Sequence, residues 1–337
     1  MKYLITGGAG FIGSNFIHYL FAKYPDAEVI NLDKLTYAGN LDNLKEIEND
    51  PRYKFVKGDI ADPKVVYDLV GEADVIVNFA AESHVDRSIL NSEEFIRTNI
   101  VGTHVLLEAA RKWNGKRFHH ISTDEVYGAI PIDSKEKWTE GSPYHPRSPY
   151  SASKAGSDHL VRAYFHTYGL PVTISNCANN FGPYHYPEKL IPLAITNLLE
   201  GQKVPVYGQG KQMREWLYVE DHCSAIDVII QHGHLGETYF VGPHEKEVNN
   251  LQLVKKILKL MDLDESSIEF VPDRPGHDAK YALDTTKIKK ELGWTAQHTL
   301  DESLKKTVQW YREHEDWWQK VKRSPGFQEY YQKQYKK

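Results

Sequence analysis

Short apolar runs alternate with stretches of helical spacing through the first half of this chain. The runs at residues 2–6, 28–32, 53–57, 73–79, 116–122 and 171–176 read as strands. Residues 11–23, 40–49, 63–71, 92–113 and 150–169 read as helices. Repeated strand–helix units predict an α/β fold whose parallel sheet is covered on both faces. The longest of these helices, 92–113, carries Ile96, Ile100, Val101, Val105, Leu106 and Ala109 at helical spacing. That stripe suits either a subunit interface or an internal core face. Beyond about residue 176 the alternation loses its regularity. Residues 179–184 read as a loop, 188–200, 219–232, 250–263 and 300–322 as helices, and 237–241 as a strand. The expected organisation is a nucleotide-binding domain over 1–176 and a smaller, mainly substrate-binding lobe over 177–337. Some segments of the second are expected to interleave with the first.

Composition narrows the function classes. The chain has 337 residues, 41% hydrophobic and 26% charged, which suffices for a sizeable core. A net charge of −5 supplies no basic field for nucleic acid or an anionic membrane, although local cations can still hold a phosphorylated small molecule. The only cysteines, Cys177 and Cys223, have no metal-binding spacing, so a reducing compartment and no metal are expected. Met1 leads directly into a strand pattern, and no apolar run reaches spanning length, so a cytoplasmic protein is expected.

The first chemistry-bearing motif is Gly7-Gly8-Ala9-Gly10-Phe11-Ile12-Gly13, between a strand and a helix. Glycines there let backbone N–H groups approach a pyrophosphate at the helix N-terminus. Asp33 ends the second strand, 20 residues after Gly13, where an acid binds ribose hydroxyls and repels a 2′-phosphate. NAD is therefore favoured over NADP in a Rossmann-type doubly wound sheet. Asp59 and Ile60 follow the third strand, beside the expected adenine edge. Ala80 and Ala81 follow the fourth, where small side chains leave space.

The second motif is Ser122-Thr123-Asp124-Glu125-Val126-Tyr127-Gly128, followed by Tyr150-Ser151-Ala152-Ser153-Lys154. Tyr150 and Lys154 fall one helical turn apart, so the ammonium is expected to draw the phenol pKa down. An alcohol dehydrogenase needs the phenol and the Thr123 hydroxyl. It has no work for two adjacent acids. Those suit a reaction in which a second proton is removed and a hydroxyl leaves as water.

These residues resemble the extended short-chain dehydrogenase/reductase family, and within it the nucleotide-sugar 4,6-dehydratases. The resemblance runs through Leu32 to Asn40, Ala80 to Ser88, Ser122 to Gly128, Tyr150 to Lys154, Gly182 to Pro192, Arg214 to His222 and Asp273 to Asp278. It implies NAD as a retained cofactor, dTDP-glucose as substrate, a homodimer joined through 92–113 and 150–169, and deoxysugar synthesis on the way to rhamnose. Cofactor contacts are implied at Gly7, Gly10, Phe11, Ile12, Gly13, Asp33, Lys34, Thr36, Gly39, Asp59, Ile60, Ala80, Ala81, Thr98, Tyr150, Lys154 and Asn180. Tyr150 and Lys154 are the implied oxidation pair, with Thr123 on the same sugar oxygen, Asp124 as acid and Glu125 as base. Arg214, Arg274, Asn249 and His277 are implied at the diphosphate, with His84 at the sugar or diphosphate. Asn179, Glu188, Lys189 and Leu190 are implied near the sugar and nucleotide, and Pro205 with Tyr207 at the base.

The chain departs from the pattern Arg-Cys-Ser-Asn-Asn-Tyr at Asn176-Cys177-Ala178-Asn179-Asn180-Phe181. Three other readings stay open on the residues: a UDP-sugar 4-epimerase, a dehydratase of another nucleotide sugar, and a non-catalytic NAD-binding regulator.

Overall fold

The structure, a computed structural model, describes residues 1–273 and 276–335. Six strands, β1 (Lys2–Thr6), β2 (Glu28–Asp33), β3 (Tyr53–Lys57), β4 (Val75–Asn78), β5 (Arg117–Thr123) and β6 (Val172–Cys177), join Thr238–Val241 in one seven-stranded sheet. All its pairings are parallel. The order from one edge is β3, β2, β1, β4, β5, β6 and Thr238–Val241. Strand order reverses between β1 and β4, and the crevice at that switch point is where such sheets bind ligands.

Both faces are covered, so the central strands are buried along their length, the polar His119, His120, Thr173 and Ser175 of β5 and β6 included. Leu4, Ile76, Phe118 and Val172 pack against Val66, Leu106, Leu107 and Val161 from helices on one side. Tyr3, Ile5 and Val77 pack against Phe16, Ile17, Cys223 and Ile226 on the other. The helix Val219–His232 and the strand Thr238–Val241 thus come from late in the chain but complete the first-half sheet. A separate core joins Ile191, Val204, Leu253, Leu304 and Trp318.

Several expected elements change form. Helix 40–49 is a 3₁₀ segment, Leu41–Ile47, kinked at Leu44. Helix 92–113 runs as Glu93–Phe95, a π-helical stretch Ile96–Gly102, and Thr103–Lys112. Its Leu106 and Ala109 are core residues, whereas Ile96 and Val101 are exposed. The 300–322 helix breaks at His314 into Leu300–Glu313 and Glu315–Lys322. Within the expected loop, Asn179–Phe181 pairs with Trp216–Tyr218. Val204–Tyr207 pairs with Ile268–Val271, and Met213–Arg214 with Val248–Asn249. These short ladders carry no long apolar run, so periodicity does not reveal them. They bring Asn179, Tyr207 and Arg214 to the mouth of the large sheet.

Candidate active site

One cleft of about 410 Å³ lies along the C-terminal ends of the parallel strands. Every residue expected to touch the cofactor lines it. Gly7 leaves β1 at φ 69°, and a Cβ there would stand 2.7 Å from the Ala80 backbone. Only glycine permits that approach. The helix Phe11–Lys23 begins at Gly10 without a side-chain cap, so its first N–H groups face the cleft as an anion site. Asp33 ends β2, and its carboxylate accepts from the backbone N–H of Ala9 at 3.0 Å and of Leu35 at 2.7 Å. Lys34 pairs with Asp59 at 3.1 Å across the same rim. A glycine cradle, an uncapped helix start and a strand-end acid fit a dinucleotide.

The reactive groups converge where β5 ends. Thr123 is its last residue, and the chain turns at once into a 3₁₀ segment, Asp124–Tyr127. A continuing strand would send Asp124 and Glu125 to opposite faces. The turn instead lets both line the cleft. Thr123 Oγ1 accepts from the Glu125 N–H at 3.2 Å and donates to Asp124 Oδ1 at 3.1 Å. Asp124 is fully buried, and its Oδ2 has no hydrogen-bond partner among the described residues. Burial, reinforced by Glu125, holds the Asp124 carboxyl well above the usual range, and the nearby Arg214 charge offsets part of this. A protonated acid beside a second carboxyl is the arrangement that general-acid chemistry requires.

Tyr150 and Lys154 lie in the first turns of the helix Pro149–Tyr168, set by a Ser148–Ser151 capping box and Pro149. Here the expected pKa effect is corrected. Lys154 Nζ donates to the Ile121 carbonyl at 2.6 Å. Burial, with Glu125 nearby, pushes the Tyr150 phenol well up, and a hydrogen bond with Thr123 is the leading influence against it. Burial also lowers Lys154 to about 8.

On the far side of the cleft, Arg214 donates to the Met213 carbonyl at 2.7 Å and the Asp278 carbonyl at 2.9 Å, and lies over the Tyr281 ring. His277 Nδ1 stands 2.6 Å from Asp273. Tyr207 donates to Asp86 at 3.3 Å. Asn180 is committed to Ala178 and His222, which fixes the loop above Cys177. The rest of the expected substrate set also lines the cleft, apart from two residues. Asn249 caps the helix Asn250–Leu260, accepting from Gln252 at 2.8 Å, and its neighbour Asn250 lines the cleft instead. Arg274 lies outside the described residues.

The profile of the family described as GDP-mannose 4,6 dehydratase matches residues 4–307. A dTDP-glucose 4,6-dehydratase of Escherichia coli is 50% identical over 95% of this chain and 96% of its own. The chain belongs to the dTDP-glucose 4,6-dehydratase family. A dTDP-glucose 4,6-dehydratase of Streptomyces venezuelae, solved with NAD bound, has a TM-score of 0.92 at 50% identity, covering 95% of this chain and all of the other. A UDP-glucose 4-epimerase of Thermotoga maritima shares the fold at TM-score 0.84 but only 28% identity, over 93% of this chain and 99% of the other.

Within this family site the structure adds a hub that the sequence reading left without a role. The Arg87 guanidinium lies between the Tyr37 and Tyr330 rings, 3.9 and 4.6 Å from their centroids. It also donates to Glu188 Oε2 at 2.9 and 3.1 Å. One cation thereby joins the loop after β2, the segment before helix Leu190–Leu199, and the helix Pro325–Tyr335. Glu188 and Lys189 are thus partly engaged inside the protein, Lys189 with the Ser83 carbonyl at 3.2 Å. His84 Nε2 stands 3.9 Å from Glu188. No local pattern signals Arg87, because its partner lies 101 residues away.

Proposed function

We infer that the chain converts dTDP-glucose to dTDP-4-keto-6-deoxyglucose and water. The observation that carries this reading is the buried Asp124 beside Glu125, after the strand end that bears Thr123 and in the same cleft as Tyr150. An epimerase has no use for that acid pair. The cradle from Gly7 to Gly13 and Asp33 would hold NAD, with Lys34, Thr36, Gly39, Asp59, Ile60, Ala80, Ala81, Thr98 and Asn180 along its length. Bound NAD supplies the hydride acceptor at C4 and the hydride donor at C6, so it ends each cycle unchanged.

The protein groups handle protons. Tyr150 removes the proton of the sugar 4-hydroxyl, and Thr123 holds the same oxygen. The resulting 4-keto group acidifies C5–H, and Glu125 takes that proton. Asp124 donates its proton to the departing C6 hydroxyl, which leaves as water. Glu125 then returns a proton to C5. Arg214 and His277 face the diphosphate, and Pro205 with Tyr207 faces the base. His84, Asn179, Glu188, Lys189 and Leu190 line the sugar and nucleotide path.

Residues 1–176 then act mainly as the NAD domain and 177–337 mainly as the substrate lobe. Among the described residues, no helix is long and apolar enough to cross a membrane. Both cysteines are unpaired and buried, in keeping with a cytoplasmic site. The product is a deoxysugar precursor, with rhamnose one of its end points.

The direct test is mass spectrometry of dTDP-glucose incubated with purified protein and no added NAD. Loss of one water is the expected result. An unchanged mass, even after NAD is supplied, would overturn the reading. A product only from UDP- or CDP-sugars would reassign the base specificity.

The same helices carry the quaternary proposal. Ile96 and Val101 are exposed on the 93–112 helix, and Tyr168 on Pro149–Tyr168. Apolar groups left outward on adjacent helices suit a homodimer packed through 92–113 and 150–169. Sedimentation should give twice the chain mass at working concentration. A monomer would remove this claim.

A further inference from the structure

Behind the reactive groups lies a third acid, Asp158, that the chemistry above does not use. Tyr150, Lys154 and Asp158 recur every four residues on one helix face. Asp158 is fully buried. Its Oδ2 accepts from Tyr144 Oη at 2.8 Å, Ser122 Oγ at 2.9 Å and Asn176 Nδ2 at 3.3 Å. Three donors on one oxygen favour the ionised carboxylate; burial raises its pKa, and the Lys154 charge is the leading influence against that. Two of those donors lead straight to the reactive strand end. Ser122 precedes Thr123, and Asn176 Nδ2 also donates to the Thr123 carbonyl at 2.9 Å.

We propose that Asp158 is a positioning residue, which through Ser122 and Asn176 fixes the strand end bearing Thr123, Asp124 and Glu125, and which supplies the negative charge that keeps Lys154 protonated behind Tyr150.

The groups around Lys154 support this assignment. His120 on β5 lies 3.4 Å from Lys154 Nζ and 3.5 Å from Asp158 Oδ1. Burial and the Lys154 charge hold its imidazole well below the usual range, so it is neutral. Cys177 on β6 is pushed up to about 12 by burial and stays a thiol. Arg162, on the next turn of the helix, donates to Tyr144 Oη at 2.7 Å and adds positive charge near Asp158. Tyr150 faces Glu125 and Asp124. Burial drives Lys154 toward its neutral form, and Asp158 is the leading opposing influence. Asn176 stands where the family pattern has Arg. An amide there tethers the strand end without cancelling the Asp158 charge.

The proposal rests on the Tyr150–Lys154 reading, so its test separates the two. The pH dependence of kcat is measured on NAD-containing Asp158→Asn protein, with thermal unfolding and cofactor content as folding controls. Removing the carboxylate favours neutral Lys154, so the alkaline limb should move down by about one pH unit, with KM little changed. The loss should then be roughly tenfold greater at alkaline than at neutral pH. A uniform loss, or a parental profile, would overturn the proposal. Should Asp158→Asn not fold, Asn176→Arg takes its place. Its guanidinium would offset the same charge and should move the limb the same way, and an unmoved limb would again overturn the proposal. If Tyr150→Phe and Lys154→Met retain dehydration, the oxidation reading itself has failed. If they are inactive while the limb stays in place, only the Asp158 assignment has.

Discussion

Tyr150→Phe should lower kcat by about a thousandfold or more, with little change in KM, melting temperature or bound NAD. The ring is buried in a small cluster with Val85 and Phe95, and phenylalanine fills the same space. The substitution removes one oxygen and its hydrogen bond with Thr123. That oxygen is the group placed to take the 4-hydroxyl proton. Burial and Glu125 raise the phenol pKa, so the phenolate is a minor form that becomes scarcer as the pH falls. The parental rate should therefore fall on the acid side as this phenolate is protonated. Steady-state kinetics across pH checks both points. A Phe variant that keeps tens of percent of the activity would exclude Tyr150 as the base.

Asp124→Ala should separate the two halves of the reaction. Oxidation at C4 needs Tyr150, Thr123 and the cofactor, and should persist in part. Elimination needs a proton delivered to the C6 hydroxyl, and should fall by about a hundredfold to ten-thousandfold. The expected signature is reduced cofactor accumulating on the protein while the sugar nucleotide loses no water. The physical basis is the environment of Asp124. Its carboxyl is buried, faces Glu125, and carries an oxygen with no hydrogen-bond partner among the described residues. All of this favours the protonated form. Absorbance of the reduced cofactor, followed beside product mass, makes the check. Dehydration at the parental rate would show that another group is the acid.

Both variants rest on residues that local pattern makes visible. Gly7 to Gly13, Asp33 and the Tyr150–Lys154 pair declare themselves because their geometry is set by a few neighbouring bonds. A tight turn needs glycine, a strand end needs its acid, and a helical turn brings i and i+4 together. The apolar runs of β1 to β6 are legible for the same reason. Burial of the central strands keeps Val, Ile, Leu and Phe dense enough there to mark them, although Lys54 and Lys57 of the edge strand β3 are exposed. The resemblance to dehydratases extended that reading to the substrate side.

The rest depended on contacts between distant segments. The sequence places Tyr150 beside Lys154, yet the ammonium turns to the Ile121 carbonyl on β5 and burial governs the phenol. Asn249 reads as a phosphate donor, but the fold makes it a helix cap. Arg87 finds Glu188, and Asp158 finds Asn176 and Ser122, through packing of helices on strand ends. Periodicity therefore determined the sheet, while motif spacing and the family resemblance pointed to the cofactor cradle and the reactive groups. Tertiary structure alone decided their protonation and mutual support, because desolvation and charge pairing belong to the folded interior and not to the order of residues along the chain.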